Sequence, residues 1–180
     1  MEQDLRPALA SILPRLRRFG LALTGSATEA DDLAQMACER ALGRTAQLRE
    51  VTRLDAWMYG IMRHLWQDEL RARRVRRHEP IERAENIQGS DGAAVVEDSL
   101  ELARVRACLA TLSAEHRAVL TLICVDGLGY REAAGVLDIP VGTVMSRLSR
   151  ARRELHDRLA RPVAQDQSPV TLLPRNRLRP

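Results

Sequence analysis

Apolar residues return every three or four positions along most of this chain, and no segment alternates apolar with polar as a half-buried strand does. A 180-residue sequence with that one periodicity must bury its apolar stripes by packing helix on helix, so the expected fold is all-α. Residues 79–98, EPIERAENIQGSDGAAVVED, break the pattern: Pro80, Gly89, Ser90 and Gly92 stand among acidic side chains, the composition of a flexible linker. The expectation is two small helical domains, at 1–78 and 99–161. A flexible tail follows at 162–180, where prolines recur and apolar period is lost.

Within the first domain the pattern predicts helices over about 8–24, from Ser26 or Thr28 to about Gly43, and from about Asp55 to Arg77. The core stripe expected on the third is Leu54, Trp57, Met58, Ile61 and Leu65, with Tyr59, Arg63, Trp66, Gln67, Arg74 and Arg77 outward. The second domain reads as four helices, at 99–111, 114–125, 130–137 and 141–160. Ser113 caps the second of these and Pro140 opens the last.

Charge narrows the function. All 28 basic residues are arginine, which suits phosphate and guanine recognition. Six arginines fall between Arg63 and Arg77 and six between Pro140 and Arg161, while Glu79–Glu101 holds seven acids and one arginine. Two basic blocks around an acidic connector point to two contacts with one polyanion. Other classes are disfavoured. No apolar run approaches the ~20 residues of a membrane span, and no signal-peptide core opens the chain. Three cysteines (Cys38, Cys108, Cys124) without CxxC spacing argue for a reducing cytoplasm and against a metal site. No nucleophile–base pair or phosphate loop is present, so neither an enzyme nor a cofactor is expected.

On the last helix, Val144, Leu148, Ala151, Leu155 and Leu159 fall within about 80° of one another, a buried stripe. Gly142, Ser146, Ser149, Arg150 and Arg153 centre on the opposite face. Before it YREAAGVL offers Ala133, Ala134 and Leu137 for close packing, and DIPVG makes the turn with Ile139 as a plug. A short helix, a tight turn and a longer helix with small and basic residues outward make a helix-turn-helix. Arg150 suits a guanine edge; Arg147, Arg152 and Arg153 suit phosphates, which position without specifying.

Three stretches then match a family in order and spacing: LPRLRRFGLALTGSATEADDLAQMACERAL, LDAWMYGIMRHLWQDELRARRVRR, and LSAEHRAVLTLICVDGLGYREAAGVLDIPVGTVMSRLSRARREL. Together they resemble the extracytoplasmic-function (ECF) class of sigma factors. The resemblance implies a promoter-specificity subunit with RNA polymerase core, promoter DNA and an anti-sigma factor as partners. It places the beta-prime clamp helices of the core against Asp32, Gln35, Glu39 and Leu42, and the beta flap against the second domain. The minus-ten element falls to Arg63, His64, Trp66, Gln67, Arg74 and Arg77 with the loop at about 48–55. The minus-thirty-five element falls to Gly142, Thr143, Met145, Ser146, Arg147, Ser149, Arg150 and Arg153. His64 stands where relatives frequently carry asparagine, and Ser149 where they often carry an aromatic. Geometry allows the double contact: a 20-residue linker reaches on the order of 65–70 Å, and two duplex turns span roughly 68–72 Å. A free-standing helix-turn-helix regulator and a protein-binding helical adaptor remain the alternatives that the residues themselves allow.

Overall fold

The computed structural model describes residues 5–44, 54–77 and 100–160, and every regular element among them is helical. The expected linker 79–98, the tail 162–180 and most of the loop at 48–55 lie outside the described residues. The N-terminal half holds α1 (Leu5–Thr24), α2 (Ala27–Leu42) and α3 (Leu54–Arg77). The C-terminal half holds α4 (Leu100–Ala110), α5 (Ala114–Leu120) running into a π turn (Thr121–Val125), α6 (Tyr130–Leu137) and α7 (Val141–Ala160).

Small residues set the first hairpin. Gly25, at φ 77°, stops α1, and Ser26 caps α2 by accepting the Glu29 N–H at 3.4 Å. Ala30, Leu33, Ala34, Ala37 and Ala41 form the buried face of α2. That alanine-rich face lets α1 approach until a Cβ on Gly20 would stand 3.0 Å from the Ala30 carbonyl oxygen. Any side chain at Gly20 forces the helices apart.

Helix α3 departs from its expected pattern. Leu54, Met58 and Met62 are buried as a core stripe, but Tyr59, Arg63 and Trp66, expected outward, are buried too. Trp57, Ile61 and Leu65 are only half-buried. For Tyr59 and Arg63 the cause is a second wall: the Asp126 segment and α6 reach them from the C-terminal half, and one continuous core joins the halves, whereas Trp66 lies under the Arg73 guanidinium of its own helix. A stripe read from one chain segment assumes one packing partner, and α3 has two.

The helix-turn-helix forms as its residues require. Ser113 caps α5 through the His116 N–H at 3.2 Å, and the Glu132 carboxylate takes the Gly129 N–H at 2.9 Å at the start of α6. Asp138 ends α6 in the left-handed region (φ 49°), a conformation its short polar side chain tolerates. Pro140 opens α7, its carbonyl accepting the Thr143 N–H at 2.9 Å. Val144, Leu148 and Ala151 are buried, whereas Leu155, Leu159 and Ile139 are half-buried.

Candidate DNA and polymerase interfaces

The face of α7 opposite its buried stripe is open. Gly142, Met145, Ser146, Ser149, Arg150 and Arg153 are exposed, with Met145 at 52%. Ser146 Oγ donates to the Thr143 carbonyl at 3.0 Å, which leaves its lone pairs toward solvent. Arg147 and Thr143 sit lower, half-buried; the Arg147 guanidinium meets the Glu115 carboxylate of α5 at 2.9 Å. Arg152 Nη2 donates to Cys124 Sγ at 3.3 Å. A convex helix face of small and basic side chains is the shape that a major groove admits.

On α2, Asp32, Gln35, Glu39 and Leu42 are all exposed, with Met36 beside them. Gln35 Nε2 donates to Glu39 Oε1 at 3.0 Å, so the two share one face. Asp31 turns away to Arg17 at 2.9 Å, leaving Asp32 and Glu39 as the acids of that face.

The α3 residues are divided. His64 is exposed, its Nδ1 set 2.7 Å from the Gly60 carbonyl, and Gln67 and Arg74 are half-buried. Arg77 is the last residue of the helix. Arg63 is only 8% exposed: Nη2 reaches Gln67 Oε1 and Asp138 Oδ2, each at 3.2 Å, and Nη1 the Val136 carbonyl at 3.4 Å. Trp66 is covered by the Arg73 guanidinium, 5.1 Å from the ring centroid. Arg73 is fixed by Glu69 and Glu29, at 2.7 Å each. The hydrogen bond from Arg73 holds the Glu69 carboxyl below the usual range. An open groove of about 600 Å³ runs between α3 and α6, with Trp57, Gly60, Ile61 and His64 on one wall and Arg131 and Gly135 on the other.

Sequence reasoning missed Tyr59, Asp126 and Asp138, the residues through which the halves meet. Burial first, and the hydrogen bond to Asp126 second, raise the Tyr59 phenol far above its ordinary range. Nothing local marks them, because each partner lies more than sixty positions away in the chain. Among the described residues no cluster of histidine, cysteine or carboxylate side chains is arranged to hold a metal ion. No helix there is long and apolar enough to cross a membrane.

Known proteins share this arrangement. Residues 102–155 match the family described as Sigma-70, region 4, and residues 9–63 the Sigma2 domain of PhyR. The ECF RNA polymerase sigma factor EcfG of Rhodopseudomonas palustris is 33% identical over 157 residues, covering 86% of this chain and 84% of that protein. The ECF sigma factor SigC of Mycobacterium tuberculosis is 37% identical over 128 residues, covering 70% and 68%. Among solved structures, the sigma factor RpoE of Bartonella quintana, in complex with the anti-sigma factor NepR, superposes with a TM-score of 0.72 at 29% identity. That match covers 87% of this chain and 97% of that one. The chain belongs to the ECF class of RNA polymerase sigma factors. Its function is that of a sigma factor, directing transcription initiation.

Proposed function

We propose that residues 1–78 and 99–161 act as the two promoter-binding domains of this sigma factor, joined by the 79–98 linker. In this reading Asp32, Gln35, Glu39 and Leu42 dock on the beta-prime clamp helices of core polymerase, and the C-terminal domain meets the beta flap. Helix α7 reads the upstream duplex element through Met145, Ser146, Ser149 and Arg150, while Arg147 and Arg153 hold phosphates. Helix α3 takes the opened downstream element through Arg63, His64, Trp66, Gln67, Arg74 and Arg77. The observation that carries the reading is the open, basic, small-residue face of α7 above a fully formed helix-turn-helix.

The protein works in the cytoplasm and performs no chemistry of its own; polymerase supplies the catalysis. Control falls to an anti-sigma factor that competes with core enzyme. The Bartonella RpoE relative in complex with NepR supports that partner class. A gel shift on promoter DNA tests the whole reading. It predicts specific binding only when core enzyme is added, whereas equal binding without core would make the chain a free-standing regulator.

A further inference from the structure

The groove between α3 and α6 carries more chemistry than packing requires. Two of its lining residues, Gly60 and Gly135, are glycines inside helices, where glycine is a poor choice. On α1 packing explains such a glycine, since a Cβ on Gly20 would meet the Ala30 backbone. Neither Gly60 nor Gly135 has that reason: a Cβ added at either would have nothing within 4 Å. Alanine would fit at both positions and would stabilise both helices. What the glycines keep is open space along the groove, where a ligand can come close to two helix backbones.

The charge around that space is mostly of one sign. Arg44, His64 and Arg131 line the groove and are exposed, and among the described residues no carboxylate is paired with either guanidinium. The His64 ring is fixed through Nδ1, 2.7 Å from the Gly60 carbonyl. A carbonyl oxygen only accepts, so Nδ1 carries the proton and Nε2 is left for a ligand. Glu132 is the one acid among the lining residues, and its carboxylate already takes the Gly129 N–H at 2.9 Å. Two guanidinium groups and an imidazole in this setting suit an anion of more than one charge.

Trp57 and Ile61 give the groove an apolar wall that inorganic phosphate alone could not use. A half-buried indole beside basic side chains suits a nucleobase, since every base has a π face. The volume of about 600 Å³ lies within the range of small-molecule sites.

We propose that the α3–α6 groove is a binding site for a nucleoside diphosphate. Arg44 and Arg131 take the phosphates, His64 Nε2 adds a further contact, and the base lies against Trp57 and Ile61. Gly60 and Gly135 let the ligand sit close to both backbones. The site is separate from the open row of α7, none of whose residues line the groove. His64 is also assigned to the downstream promoter element, so the test leaves it unchanged.

Calorimetric titration of the full chain at low salt, without core enzyme or promoter, tests this. The probes are ADP, GDP, adenosine, inorganic phosphate and a short single-stranded oligonucleotide. Both diphosphates should bind one to one. Adenosine and phosphate, each lacking one set of contacts, should bind at least about tenfold more weakly. Arg44→Gln and Arg131→Gln should each weaken ADP about tenfold, the cost of one charge-assisted hydrogen bond. Gly60→Ala and Gly135→Ala should raise the melting temperature by roughly 2–4 °C and yet lose affinity for ADP. A glycine kept only for the fold would lower the melting temperature and leave ADP binding unchanged.

Failure of ADP and GDP to bind overturns the proposal. So does ADP binding that survives both arginine variants, because it would lie elsewhere. Phosphate that binds as tightly as ADP makes the groove a plain anion site and rejects the nucleotide. If the oligonucleotide binds, is weakened by Arg131→Gln, and the diphosphates do not bind, the groove belongs to the DNA path and the proposal falls. Should an alanine variant misfold, the two arginine variants decide.

Discussion

Helices α7 and α3 are assigned the same kind of work, yet they meet solvent in opposite ways. On α7 one stripe, Val144, Leu148 and Ala151, is buried, and the opposite side chains are open from Met145 to Arg153. On α3 the core stripe of Leu54, Met58 and Met62 is matched by a second buried row, Tyr59, Arg63 and Trp66. The first helix has spent only one face on packing and keeps the other ready for DNA. The second has turned one of its arginines, Arg63, to a neighbour. An arginine is therefore open to a ligand or given to structure according to which neighbour is present, and of the two helices only α7 keeps its whole outward row open.

The largest effect should come from the core that α3 shares with α1. Phe19 is fully buried, its ring centroid 4.9 Å from that of Tyr59. Phe19→Ala should cost about 3–5 kcal/mol. Urea unfolding followed by the tryptophans, both on α3, should shift strongly. The helical circular dichroism of α4–α7 should persist beyond that transition. A single transition shifted equally in both signals would break the comparison and make the halves one cooperative unit.

The next effect sharpens the α7 side. Arg150 is exposed near the N-terminal half of the helix and suits a two-pronged bond to guanine, worth about 1–3 kcal/mol of discrimination. Arg150→Ala should relax preference at one base pair of the upstream element. Arg153→Ala, nearly a turn on, should weaken all sequences about equally and flatten the salt dependence. A promoter panel carrying single-base changes reads both, and uniform loss with Arg150→Ala would move base reading to Met145, Ser146 or Ser149.

The smallest effect lies on α3, where Arg73 covers Trp66 and braces Glu69 and Glu29. These are partly exposed contacts, so Arg73→Ala should cost only about 0.5–1 kcal/mol at neutral pH. The Glu69 carboxyl is depressed in the folded state by its bond to Arg73. Its contribution is therefore present above the ordinary glutamate pKa and lost as pH falls through the folded value. The gap between wild-type and variant urea midpoints should narrow in acid; a gap that widens there would contradict the brace.

Most of the fold was legible because helix signals are local. Ser26, Ser113 and Pro140 stand where helix starts were expected, and the helix limits fall close to the expected ones. The outward faces of α2 and α7 were legible for the same reason: each packs one stripe. The burial of Tyr59 and Arg63 was not, because it depends on α6 and the Asp126 segment arriving from far along the chain. Nor does periodicity signal a π turn; the single residue it adds to 114–125 is what aims Asp126.

The central claim is that two helices of this chain select two promoter elements for RNA polymerase. Mapping the 5′ ends of transcripts made by core enzyme with and without the protein tests it most directly. The account predicts new start sites sharing two upstream elements about two duplex turns apart, with Arg150→Ala altering preference in the distal one alone. Start sites identical to those of core enzyme by itself would contradict it.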